Sequence, residues 1–117
     1  MIIESKHDIL VNDNFEVNYI SSKLDSNHSD ILKNNTYHIM VNTESKSIII
    51  HLYYTRDIFR LNKVLQKGCI FNLQYTVFND DSIKEIFSNK VTIENVSLDL
   101  SKENNHQPSV TLLCSYE

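Results

Sequence analysis

The chain predicts a mainly β protein: one five-stranded barrel, a helix between strands three and four, and an extra C-terminal strand. Three observations carry this expectation. Apolar and polar residues alternate with a period of two in six separate stretches, the signature of half-buried strands. The composition favours strands, because the chain has no Ala and is rich in Ile, Val, Tyr, Phe and Thr. One stretch, and only one of any length, switches to helical spacing. The 117 residues suit a single domain, and the expectation is one unit over residues 1–117.

Phe15, Val17 and Tyr19 alternate with Glu16 and Asn18, and Tyr37, Ile39 and Val41 alternate with His38, Met40 and Asn42. Ile48, Ile50, Leu52 and Tyr54 share one face of the third strand, with Ile49, His51 and Tyr53 on the other. Cys69, Phe71, Leu73, Tyr75 and Val77 form the longest clean face. Val91 and Ile93 begin the next strand, and the apolar set resumes out of phase at Val96, Leu98 and Leu100, which predicts a bulge near Asn95. Val110, Leu112, Cys114 and Tyr116 alternate at the end, and Ile2 to Val11 reads as partly extended. Thr43-Glu44-Ser45 suits a hairpin, Asn34-Asn35 a turn, and the polar stretch 101–108 a loop.

Within 57–67, Ile58, Leu61 and Leu65 recur at 3 and 4 residues, one face of a helix. Thr55 or Asp57 can cap its start, and Gly68, the one glycine, follows where a left-handed residue is wanted. A second short helix is expected over 81–85, where Ser82 and Glu85 have capping-box spacing.

Several chemistries are excluded or unsupported. One glycine cannot write a GxGxxG or GxxxxGK[ST] phosphate loop. His7, His28, His38, His51 and His106 form no HxH, HxxxH or HExxH pattern, so no metal centre or cofactor is expected. Cys69 and Cys114 lie far apart and read as free thiols. No Ser or Cys sits in a recognisable nucleophile motif, so the chain is not expected to be an enzyme with a small-molecule substrate. The start lacks an apolar signal core and no run is long enough for a membrane helix, so a soluble intracellular protein is expected.

The balance of 11 basic against 15 acidic residues, net −4, opposes a solitary nucleic-acid binder. Against that background, Arg56, Arg60, Lys63 and Lys67 are spaced 4, 3 and 4 apart and would share a helix face. They read either as a solvated outer face or as contacts for phosphates or an acidic partner. His51 and Tyr53, with Lys46 nearby, could stack bases, or could pack under a loop or against another subunit. Val110, Leu112, Leu113 and Tyr116 are candidates for a partner interface, through a strand that adds to a neighbour's sheet or pairs at home.

Three strands, a helix and then two more strands is the order of an OB-fold, with a plain β-sandwich or another small barrel as the alternative. The pattern over Asn14 to Ser101, including Val64-Leu65-Gln66-Lys67-Gly68-Cys69-Ile70-Phe71, resembles the small OB-fold subunits of replication-protein-A-like complexes, above all the smallest subunit of the CST telomere-capping complex. The resemblance implies a non-enzymatic nuclear subunit that heterodimerises with a larger OB-fold protein and supports protection of single-stranded telomeric DNA. Such subunits commonly end in a helix, whereas Val110 to Tyr116 reads as a strand. Two other classes stay open: a viral or bacterial β-domain that acts by protein–protein contact, in keeping with an Asn- and Ile-rich chain, and a small enzyme or ligand-binding barrel whose site is assembled from residues scattered in sequence.

Overall fold

A computed structural model describes residues 4–8, 15–22, 24–79, 82–100 and 108–117. In chain order the elements are β1 (Glu4–Asp8), β2 (Phe15–Ile20), α1 (Ser26–Asn35), β3 (Thr36–Asn42) and β4 (Ser47–Tyr53). There follow α2 (Arg56–Phe59), β5 (Ile70–Asn79), β6 (Ser82–Asp99) and β7 (Ser109–Tyr116). The protein is mainly β, as the alternation predicts.

All seven strands join one antiparallel sheet in the order β1-β3-β4-β7-β6-β5-β2, curled into a half-barrel. This corrects the five-stranded barrel. The sheet has seven strands, with β1 and β2 at its two edges, and helices before β3 and before β5. The C-terminal strand is not an accessory. β7 lies at the middle, pairing Ile50 with Leu112 on one side and Val96 with Leu112 on the other.

Period-two alternation then divides the sheet into two faces. The inner face carries Tyr19, Ile39, Ile48, Ile50, Leu52, Leu73, Ile93 and Leu112, each at most 1% exposed. Both helical segments cover this face: Leu32 of α1, Ile58 of α2, and Leu61 and Leu65 just after it are buried in the same cluster. Beneath α1, the Tyr19 hydroxyl lies 2.7 Å from Thr36 Oγ1, and that hydroxyl donates to the Leu32 carbonyl at 2.7 Å. With the Thr36 proton committed, Tyr19 must donate, so one chain of hydrogen bonds ties β2, β3 and the end of α1.

The helices depart most from expectation. The apolar stripe at Ile58, Leu61 and Leu65 does face the core, but the α-helix ends at Phe59. Leu61 N–H then donates to the Ile58 carbonyl and Asn62 N–H to that of Phe59, the tighter three-residue bond. Spacings of 3 suit such turns as well as a helix, so periodicity could not separate them. Thr55 caps as expected, its Oγ1 3.3 Å from Ile58 N, and Gly68 takes φ +93°.

Of the helix expected over 81–85, residues 82–85 are instead part of β6. Ile83 pairs with Phe78 and Ile86 with Thr76, so a long hairpin with β5 overrides a capping-box spacing. Asp80 and Asp81 lie outside the described residues. Asn34-Asn35 closes α1 instead of forming a turn, and Asn35 Nδ2 donates to the Ile31 carbonyl. The hairpin over 43–46 and the β6 bulge hold: register shifts between Ile93 and Asn95, leaving Glu94 as the extra residue. The loop expected over 101–108 falls outside the described residues except at Pro108.

Candidate functional site: the outer face of β3, β4 and β7

With the inner face covered, the outer face holds the most concentrated aromatic surface. His38, His51 and Thr111 lie in one cross-strand row, and Met40, Ile49 and Leu113 in the next. The His38 and His51 rings stack, 5.1 Å apart and 12° from parallel. Tyr37 stacks on Tyr53 at 4.4 Å and also approaches His51 at 5.8 Å. His51 Nδ1 meets Thr111 Oγ1 at 3.1 Å. Leu113 is 41% exposed, and the other apolar and aromatic members are half-buried.

Tyr37 is on this face because of an irregularity. Simple alternation places it inward with Ile39 and Val41. The β3–β4 register shifts between Thr36 and His38, so Tyr37 is an extra residue opposite β4. A bulge re-aims its side chain. Thr36 turns inward and is 5% exposed, while Tyr37 joins His38, its sequence neighbour, on the outside.

The candidate nucleic-acid residues do not form one surface. His51 and Tyr53 belong to the outer cluster, with exposed Arg56 three residues beyond. Lys46 sits in the β3–β4 hairpin with φ 53°, at the far end of β4. Six strand residues separate it from Tyr53, a span of about 20 Å, and Arg56 lies three positions further on. Arg60 approaches Asp57 at 3.9 Å and lines a groove beside α1 with His28. Lys63 and Lys67 lie along a separate cleft next to Gly68.

Among the interface candidates, Val110 and Leu112 are 2% and 0% exposed and fill the core. Leu113 is open to solvent on the outer face, and Tyr116 packs edge-on against Phe87 at 5.3 Å. Neither Cys69 nor Cys114 forms a disulfide, and the first is half-buried and the second buried. Burial pushes the Cys114 thiol up to about 12, with the neighbouring Cys69 and Glu94 adding to the shift. Among the described residues no cluster of His, Cys, Asp and Glu could hold a metal, and no helix is long and apolar enough to cross a membrane.

Burial also lowers the pKa of His51 below its ordinary value, and charge on His38 lowers it further. A depressed histidine makes stability fall with falling pH, because below the unfolded value the unfolded chain takes up a proton that the folded chain still excludes. The stabilisation is present above about pH 6.5, the unfolded value, and is lost as pH falls through the lower folded value. The melting temperature should therefore be lower at pH 5 than at pH 7.5. In His51→Gln, which keeps a polar group facing Thr111, that gap should narrow. An equal gap in both proteins would remove His51 from the cause.

Comparison of the chain with protein-family models, curated proteins and solved structures finds no match.

Proposed function

We propose that this chain is a non-enzymatic interaction domain that binds another protein through the outer face of β3, β4 and β7. The observation that carries the reading is the two-row surface of Tyr37, Tyr53, His38, His51, Met40, Ile49 and Leu113. Aromatic residues, Met and a polar edge characterise the centre of a protein interface. Stacked rings lose little rotamer freedom on binding, which suits them as anchors.

A larger OB-fold subunit, as the resemblance implies, is one partner of this kind. Base stacking on Tyr53 and His51 is the alternative use of the same rings, and two features weigh against it. The row of Met40, Ile49 and Leu113 continues on β1 at Lys6 and that of His38, His51 and Thr111 at Asp8, while Glu94 and Asp99 lie beside β7 on β6, so these positions hold one lysine against three carboxylates. Phosphate contacts, which supply most nucleic-acid affinity, would have to come from another subunit.

Affinity purification from the native extract tests the reading, with wild type compared against Ile49→Asp/Leu113→Asp. A partner retained by wild type and lost by the variant, at unchanged melting temperature, supports it. Removal of central anchors should cost at least about 2 kcal/mol of binding, roughly 30-fold. Identical retention by both proteins, or no retained partner, overturns it. A labelled single-stranded oligonucleotide, titrated with salt against chain and complex, separates DNA contact from protein contact.

A further inference from the structure

Away from that face, two lysine-lined clefts adjoin at Gly68. A cleft of about 330 Å³ runs between the end of β2 and the start of β5, lined by Ser21, Ser22, Gly68, Asn72 and Lys90, with Ile20 and Ile70. A second, of about 320 Å³, is lined by Lys63, Lys67 and Gly68. The two meet at Gly68.

Strand register explains why Lys90 arrives there. Asn72 of β5 pairs with Ile20 of β2 on one side and with Lys90 of β6 on the other, so the three stand in one row. Chain reversal at Gly68 brings Lys63 and Lys67 to the neighbouring wall. The Gly68 N–H donates to the Ile93 carbonyl at 2.7 Å, which fixes this loop against β6. A Cβ at Gly68 would meet nothing within 4 Å, so no neighbouring atom crowds the residue that the two clefts share.

Three lysines therefore border two adjoining clefts that share Gly68, Lys90 on one and Lys63 and Lys67 on the other, and no Asp or Glu lines either. Among the described residues the basic side chains with ion pairs are elsewhere: Lys33 with Glu16, and Arg60 with Asp57. Unneutralised cations that share a concave wall focus positive potential and attract anions. The Asn72 amide adds a neutral donor. Ile20 and Ile70, 48% and 42% exposed, supply an apolar wall beside the cations. The volumes fall at the lower end of small-ligand sites.

We infer that this lysine-bordered cleft binds a small phosphorylated ligand of mononucleotide size, with its phosphate toward Lys67 and Lys90 and its apolar body against Ile20 and Ile70. Lysine suits such a site as a mobile point charge for phosphate. The inference is independent of the docking face, and neither depends on the other's outcome.

Amide chemical-shift titrations of the full chain test it, with AMP, inorganic pyrophosphate and adenosine as probes. A 5′-phosphorylated oligothymidylate forms a fourth arm that separates a free ligand from a nucleic-acid end. The expected result is saturable binding of AMP, with shifts at Ser22, Gly68, Asn72 and Lys90, and none for adenosine. Lys67→Glu/Lys90→Glu should weaken AMP at least about 10-fold, while Lys33→Glu, on α1, should leave it unchanged. Pyrophosphate binding without AMP binding would overturn the apolar half of the site. Binding of the oligonucleotide alone, non-saturating shifts, or equal loss in Lys33→Glu would overturn the proposal.

Discussion

A chain cut after Pro108 should lose its cooperative unfolding transition. The cut removes β7, whose inner side chains Val110, Leu112 and Cys114 are 2%, 0% and 1% exposed. At about 1.5–3 kcal/mol for each buried aliphatic side chain, these alone are worth on the order of 5 kcal/mol. A domain of this size has about 5–15 kcal/mol in total. The loss goes further, because β7 carries the ladders to both β4 and β6. Without it the sheet falls into β1-β3-β4 and β6-β5-β2, each with a bare edge. Urea titration followed by circular dichroism should show a shallow, non-sigmoidal change. A truncated chain with a sharp transition and undiminished m-value would mean that β7 is the accessory strand its position in the sequence suggests.

Replacing Tyr19 with alanine should cost about 3–5 kcal/mol, the range for deleting a buried aromatic ring. The ring is 1% exposed and lies 5.4 Å from that of Phe71. Its hydroxyl is no less constrained. Burial raises the Tyr19 pKa well above the ordinary value, so the hydroxyl keeps its proton and stays a neutral donor. Thr36→Val leaves that donor buried without an acceptor and should cost about 1–3 kcal/mol, whereas Tyr19→Phe removes it and should cost about 1 kcal/mol. The expected order is therefore Tyr19→Ala, then Thr36→Val, then Tyr19→Phe, measured as shifts in urea midpoint. A Thr36→Val protein as stable as wild type would mean that the Tyr19 hydroxyl has found another partner.

Strands in this chain are legible because their inner residues are apolar and the outer ones polar. Ile48, Ile50 and Leu52 against Ile49, His51 and Tyr53 is the least clear case, and even there the inner set is the one buried. Spacing says nothing about where in the sheet a strand goes. Val110, Leu112 and Cys114 would alternate in the same way at an edge or in the middle, so the location of β7 was hidden. Helix α1 was hidden for a different reason. Its ten residues include only Ile31 and Leu32 as apolar side chains, and Leu32 alone is fully buried. It is held by the Asp25 cap, which accepts from His28 N–H at 2.8 Å, and by Leu32 in the core, not by an apolar stripe.

The candidate site was half legible. Alternation places His51 and Tyr53 outward, where they lie, but it puts Tyr37 in the core, because a single bulge inverts its side. The lysine-bordered cleft could not be read at all from spacing. Lys90 is 23 positions from Lys67, and only the β5–β6 register brings it to the adjoining cleft.

The place of β7 also sets a timetable for the newly made chain. The last residue of β4 and the first of β7 are 56 positions apart. At about 5–20 residues per second, the ribosome needs about 3 to 11 seconds to deliver the strand that β4 awaits. For that interval the β3–β4 hairpin carries Ile48, Ile50 and Leu52 on a strand with one open edge, as does β6 once it emerges. Both halves are thus sticky at the same edges that will later be joined, and those of two neighbouring nascent chains can meet each other first. Yield of the native protein should therefore depend on translation speed and on chaperone supply more than its final stability would suggest.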